Sequence, residues 1–240
     1  ACKNNPEDTK SINVEGTQNI IHAAVDKKIK RLIFFSTCSS YGIQDTNIMA
    51  NEESPLNPVS LYAETKISME EYLKKNSSDN LSYTILRPST VHGPSPRMRF
   101  DLIVNHFVKD AVQKNKLDIF GGGLWRPLMW VGEVGRIVDK VFSADIKVVK
   151  NQIFNLGNTN ANKTKIEVAE IIKRKFMPHI EIKSSGDDQD LRSYKVDFSK
   201  IEKNLDFKLE KNLEEAIEEL IFSVKNELFV DLNNPKFKNN

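Results

Sequence analysis

Residues 31–88 read RLIFFSTCSSYGIQDTNIMANEESPLNPVSLYAETKISMEEYLKKNSSDNLSYTILRP, and their pattern decides the fold. The run RLIFFS at 31–36 is short and nearly all apolar, the pattern of a strand buried on both faces of a parallel sheet. A loop with turn and breaker residues follows, and a helix is predicted from 60 to about 75. LSYTIL at 81–86 is a second buried strand, ended by Arg87-Pro88. Upstream, the segment 7–27 places Ile12, Thr17, Ile20, Ile21, Ala24 and Val25 at helical spacing. Helix, strand, helix and strand in alternation signal βαβ units around a parallel sheet.

Downstream, helices are expected at 100–115, 133–144, 165–176, 199–205 and 213–225, and strands at 117–120, 127–131, 152–156 and 181–183. GGG at 121–123 reads as a turn. The polar loop SSGDDQD at 184–190 leads to YKV at 194–196. The tail beyond Phe229 is rich in Asn and Lys and is expected to fray. No internal repeat is present.

With 240 residues, the chain has room for one large domain or two modest ones. Charged residues at 28% and apolar ones at 39% describe a soluble globular protein, not a disordered one. The 35 Lys and Arg against 33 Asp and Glu leave a charge of +2, with the signs interspersed. That balance calls for neither nucleic acid nor an acidic membrane surface, while a pI near 8.4 is compatible with an anionic small ligand. Cys2 and Cys38 form no CxxC or His/Cys spacing, so neither a disulfide scaffold nor a metal site is expected, and a reducing, cytoplasmic setting fits. No apolar stretch is long enough to span a bilayer. The opening ACKNNPEDTK has no apolar core of the secretory kind, and a first residue other than Met is expected to mark processing or a start inside a longer chain.

The chemistry begins at Tyr62 and Lys66, four residues apart and so one turn apart on one helix face. A phenol loses its proton near pH ~10, and an ammonium held close to it favours the phenolate. Bringing that value near neutrality takes about 3 units, or roughly 4 kcal/mol. Such a tyrosine could take a proton from a sugar or alcohol hydroxyl. Alone, the same spacing also describes an ordinary amphipathic helix with Tyr and Lys on its surface.

Four motifs in order give the pair its context: NVEGTQNII with Asn13, FSTCSSYG at 35–42, YAETK at 62–66 and LRPSTVHG at 86–93. In that order and spacing, from Ala1 to roughly Leu220, the chain resembles the extended short-chain dehydrogenase/reductase family, in its NAD-dependent nucleotide-sugar epimerase and dehydratase branch. The resemblance implies an α/β chain: a Rossmann-like doubly wound parallel sheet lacking its N-terminal βαβ unit, with a smaller C-terminal α/β substrate domain. Residues 1–98 would be the later part of the dinucleotide-binding domain, 99–230 mainly the nucleotide-sugar-binding domain, and 231–240 a frayed tail.

The resemblance also implies roles. Tyr62 would be the general base, and Lys66 would lower its pKa and hold the nicotinamide ribose. Thr37 would be the catalytic hydroxyl, with Ser36 and Ser39 close enough to compete; hydroxyls at a strand end also cap turns. Asn13 would order a water or proton path beneath the site, and Pro88 would line the cofactor. Arg126 in GGLWRPLMWV would clamp the nucleotide diphosphate, Asp190 would orient that Arg or bind the nucleotide, and Arg192 and Thr90 would add substrate contacts. Phe120 would pack on the nucleobase. For Phe120 core packing, and for Arg192 a solvated charge, remain equally open.

Departures from the family pattern matter as well. The GxxGxxG turn that meets the dinucleotide pyrophosphate is absent, and GGG at 121–123 lies between two strands instead of opening a helix. The cofactor expected is NAD, with NADP not excluded. Where sugar 4,6-dehydratases carry acids after the catalytic Thr, this chain has Cys38 and Ser39, which favours epimerisation, expected at C4 of a UDP-sugar. MWVGE at 129–133 replaces a usual His-Val pair. The alternatives are a nucleotide-sugar reductase or dehydratase, or a non-catalytic chain that binds the nucleotide sugar or a partner subunit. A Cys38 nucleophile paired with His22 or His92 carries less weight than a packed Cys38 and a structural His92. By analogy, the helices at 12–25 and 60–73 would pair with their copies in a homodimer four-helix bundle.

Overall fold

In the computed structural model, which describes residues 5–78, 80–186, 190–229 and 231–237, the chain begins as one helical run. It comprises α1 (Pro6–Lys10), a π-turn at Ser11–Glu15 and α2 (Gly16–Asp26). β1 (Arg31–Phe35) follows, then a 3-10 turn at Cys38–Tyr41, β2 (Met49–Ala50) and α3 (Leu61–Asn76). Helix α3 starts where the Ser60 hydroxyl accepts the Ala63 N–H, and it ends in Lys74 and Lys75, which complement its dipole. After it come β3 (Ser82–Pro88), β4 (Thr90–His92), α4 (Ile103–Lys114), β5 (Lys116–Ile119), β6 (Trp125–Trp130), α5 (Gly132–Ser143) and α6 (Ile146–Val149). The remainder is β7 (Gln152–Leu156), β8 (Asn162–Thr164), α7 (Lys165–Lys175), β9 (Glu181–Ser184), β10 (Lys195–Val196), α8 (Ser199–Leu205) and α9 (Leu213–Lys225). Cys2 and residues 187–189 of the polar loop lie outside the described residues.

Strands β1, β3 and β7 form a parallel sheet in that order. Alternate β1 side chains go to opposite faces. Leu32 and Phe34 join Ile21, Leu73, Tyr83 and Ile85 under α2 and α3, while Ile33 and Phe35 join Ile137, Val141, Phe154 and Ile201 under α5 and α8. Helices on both faces of parallel strands make the α/β architecture that the alternation predicted.

Strand β3 is buried except at Pro88, as a central strand should be. Strand β1 is only half-buried at every residue, contrary to the expected burial on both faces. The reason is its place: among the described residues it pairs with β3 on one side and is the sheet's edge on the other. An apolar groove of about 270 Å³ opens there, lined by Ile12, Gly16, Thr17, Ile20, Leu32 and Phe34 among others. Ile12 and Ile20, which the helical spacing grouped with Ile21 and Ala24, face this groove and stay exposed.

A second core, built by Val108, Leu128, Val168, Ile172, Ile217 and Leu220, packs α4, α7 and α9 beside the small sheets β4-β6-β8 and β5-β9. The expected fraying at 231–240 does not hold as far as Phe237. Its carbonyl accepts the Phe100 N–H at 2.9 Å and its ring meets Phe100 and Phe229 edge-on, so aromatic burial outweighs the polar composition. Residues 230 and 238–240 lie outside the described residues. Among the described residues no helix is long and apolar enough to cross a membrane.

Candidate active site

The register Phe35↔Leu86 brings β1 and β3 to an end side by side, so Thr37 and Pro88 stand at the carboxyl ends of parallel strands, where open α/β sheets bind ligands. The Ser36 N–H donates to the Leu86 carbonyl at 2.7 Å, holding the two ends together. Thr37 is buried and its hydroxyl accepts the Ser39 N–H at 3.1 Å, capping the 3-10 turn and leaving its own proton to donate elsewhere. At Gly42 φ is +66°, and a Cβ there would stand 1.6 Å from the Asn57 carbonyl oxygen. That close approach carries the chain toward Ser60 and the start of α3.

Helix α3 then delivers its side chains to this strand end. Lys66 Nζ donates to the Phe35 carbonyl at 2.9 Å and lies 5.0 Å from the centre of the Phe34 ring. Burial lowers the Lys66 pKa. Asn13, in the π-turn, donates to Thr65 Oγ1 at 3.3 Å, and Thr65 donates to the Tyr62 carbonyl at 2.9 Å. π-turns recur at functional sites, and this one aims Asn13 at the helix that carries Tyr62. Beneath, Arg87 makes a fork to Glu70 at 2.9 and 2.6 Å, both nearly fully buried, joining β3 to α3. Cys38 is packed, its Sγ donating to the Arg87 carbonyl at 2.9 Å while burial pushes its thiol well up, which leaves no nucleophile. Burial also lowers His92 to about 3, so it is a neutral structural residue.

The polar segment after 190 crosses to this point through the β10–β2 pairing and the Ile43↔Ser193 bridge. Arg192 grips Asp190 with Nε at 2.8 Å and Nη2 at 2.6 Å, and its Nη1 donates to Ser39 Oγ at 2.8 Å. Its charge also interacts, more weakly, with Tyr62. Arg126, buried on β6, stands 3.2 Å from Asp190 Oδ2 and also donates to the carbonyls of Trp125 and Arg192. Burial raises the Asp190 pKa, but the hydrogen bonds and charge of Arg192, with Arg126, more than reverse this and hold the carboxyl well below its usual range. Burial lowers the Arg126 pKa, with Asp190 acting against it.

Phe120 is 52% exposed in the turn after β5, which excludes core packing. Pro88 and Thr90 are half-buried, paired with Leu156 and Leu128. Lys165 is a residue the motifs did not flag. It is the first residue of α7, follows the Thr164 cap, and its Nζ donates to the Phe120 carbonyl at 3.1 Å. Among the described residues no group of three His, Cys, Asp or Glu is arranged to hold a metal.

A family model described as the NAD dependent epimerase/dehydratase family matches residues 1–157. A putative UDP-glucose 4-epimerase of Methanocaldococcus jannaschii is 29% identical over 177 residues, covering 72% of this chain and 55% of its own. The chain spans about half the length of the curated relatives it matches, 55% and 53% for two of them. The UDP-glucose 4-epimerase of Thermotoga maritima, solved with UDP-glucose, has a TM-score of 0.81 at 24% identity over 93% of this chain and 72% of that one. An NAD-dependent NDP-hexosamine 5,6-dehydratase of tunicamycin biosynthesis scores 0.79 at 20% identity, covering 92% and 71%. At these identities the two structures speak for the fold.

Proposed function

Because the chain belongs to the NAD-dependent epimerase/dehydratase family, we propose that it serves the epimerisation of a nucleotide sugar at C4, with a UDP-sugar as substrate and a 4-keto sugar as intermediate. The observation that carries this reading is one continuous set of contacts. Arg126 and Arg192 share Asp190, and Arg192 goes on to Ser39, while its charge is felt at Tyr62. An anion holder is thereby tied to a base and a hydroxyl at the strand ends.

In this reading Arg126 and Arg192 hold the diphosphate, Phe120 lies under the nucleobase, and Thr90 borders the sugar. Tyr62 Oη takes the proton of the C4 hydroxyl, and the neighbouring guanidinium of Arg192 favours the phenolate this requires. Thr37 donates to the reacting oxygen, its acceptor role already filled by the Ser39 N–H. Ser39 binds Arg192 and Cys38 is packed against a carbonyl, so neither offers the acid that loss of water needs.

In this reading Tyr62, Lys66, Pro88 and Asn13 would hold the nicotinamide-ribose end of NAD by the ends of β1 and β3. Lys66 is held there by the Phe35 carbonyl. This sequence has no GxxGxxG turn to meet the pyrophosphate. When bound, NAD supplies the reversible oxidation of the sugar carbon. The buried, reduced Cys38 suits a cytoplasmic setting, and pairing of α2 and α3 with a second copy would give the homodimer, which sedimentation would reveal.

The test is to incubate the chain with NAD and UDP-glucose, UDP-N-acetylglucosamine or UDP-glucuronate and to follow the sugar by NMR. Appearance of the C4 epimer supports the reading; a deoxy-keto sugar would replace it with dehydration. Binding of the nucleotide sugar without turnover favours a second reading, a nucleotide-sugar-binding chain, for which the absent Gly-rich turn is the motivating observation.

A further inference from the structure

We propose that Tyr41 is a positioning residue for the reaction: through Arg87 and Glu70 its hydroxyl fixes the turn that carries Thr37 against the helix that carries Tyr62 and Lys66. This rests on the roles given to Thr37 and Tyr62 above and adds to them a residue that touches neither sugar nor cofactor.

The link starts in the 3-10 turn at Cys38–Tyr41, which Thr37 caps. The Ser40 N–H donates to the Thr37 carbonyl at 3.3 Å and the Gly42 N–H to the Ser39 carbonyl at 3.2 Å. Thr37 and Tyr41 stand at the two ends of this short turn, so what anchors Tyr41 also anchors the Thr37 hydroxyl. Tyr41 Oη accepts from Arg87 Nη1 at 3.2 Å. It also lies 2.8 Å from Asn155 Oδ1 and 2.8 Å from the Asn51 carbonyl, and its one proton serves one of these at a time. Cys38 Sγ, at the start of the turn, donates to the carbonyl of the same Arg87. The other nitrogens of Arg87 make the fork to Glu70. Tyr62, Lys66 and Glu70 follow one another at intervals of four on α3 and share a face, so the fork lies one turn beyond Lys66.

Tyr41, Arg87 and Glu70 are all buried. A buried hydrogen-bonded chain is rigid while every member is satisfied, and loses that rigidity when one group is left unpaired. Burial, reinforced by Cys38, pushes the Tyr41 phenol well above its usual range, so it stays protonated and is no rival to Tyr62 as the base. Its contribution is therefore geometric. Geometry matters at this scale, because displacing a reacting group by about 1 Å can cost about 10²-fold in rate. The Arg87 guanidinium also faces the Tyr41 ring, with Cζ 5.6 Å from its centre. Tyr41→Phe keeps that packing and deletes only the hydroxyl.

Steady-state epimerisation by the 240-residue chain, with NAD and the UDP-sugar it turns over, tests this, with folding followed by thermal denaturation. For Tyr41→Phe the expected result is a kcat roughly ten- to a hundredfold below the parent, with KM within about twofold. The ratio of the two kcat values should not change with pH, because Tyr41 carries no proton of the reaction. Arg87→Lys keeps the charge beside Glu70 but cannot fork, and it should show the same loss. Should one of these variants fail to fold, the other decides. The double variant should lose no more than the worse single one, because both cut the same link. Ser223→Ala deletes a buried hydroxyl in the second core, controls for stability alone and should keep the parental kcat. Any of three results would overturn the inference: a kcat within twofold of the parent, losses that add in the double variant, or an equal loss in Ser223→Ala. A parent that turns over no UDP-sugar brings down the nucleotide-sugar reading and this one with it; an active parent beside an unimpaired Tyr41→Phe overturns this one alone.

Discussion

Arg192 illustrates how much one side chain can join. It reaches Asp190 with two nitrogens and Ser39 with a third, and its charge bears on Tyr62. A planar fork with five donors can make such contacts at once; a lysine cannot. Tyr62 and Lys66 sit one helical turn apart as their spacing requires, and Lys66 additionally fastens the helix to β1 through the Phe35 carbonyl. Replacing Tyr62 by Phe removes the proposed proton acceptor and leaves the contacts among Arg126, Asp190 and Arg192 unchanged. Turnover should fall by about 10²–10⁴-fold, the range for a lost general base, while calorimetric affinity for the nucleotide sugar changes by no more than a few-fold. Activity close to the parent would remove Tyr62 from the mechanism.

At the level of elements, α3 depends on two attachments. Its start is defined by the Ser60 cap, and its middle is held to β3 by the buried fork between Glu70 and Arg87. Replacing Glu70 by Gln leaves a guanidinium buried without its counter-charge, which costs on the order of 3–5 kcal/mol. Urea denaturation of Glu70→Gln should show that loss; a change below about 1 kcal/mol, the scale of a surface ion pair, would mean that the fork contributes little. The π-turn at Ser11–Glu15 is a second device at this scale. It turns Asn13 toward Thr65 while Ile12 and Ile20 are left facing the groove.

For the molecule as a whole, the edge at β1 is the feature with the widest consequence. β3 is paired on both sides, whereas β1 is paired on one among the described residues. Backbone groups without a ladder partner exchange with solvent through small openings, and centrally paired ones only through large ones. In hydrogen-exchange mass spectrometry of the chain alone, peptides covering β1 should exchange about tenfold or more faster than those covering β3. Equal protection would mean that a second molecule covers the edge in solution.

The alternation of helix and strand, the bounds of α8 and α9 and the face shared by Tyr62 and Lys66 were legible in the sequence, because each follows from periodicity and neighbours within a few residues. The order and spacing of the four short motifs carried the resemblance that implies one site for Thr37, Tyr62 and Asn13. Only the tertiary structure decided that Arg192 bonds Ser39, 153 residues earlier, that Lys165 bonds the Phe120 carbonyl, that β1 is an edge among the described residues and that Phe237 is buried. Periodicity states which face of an element is apolar and leaves open what lies across from it. Which charges meet is set by the register of β10 on β2 and of β8 on β6, and register is a property of the packed molecule.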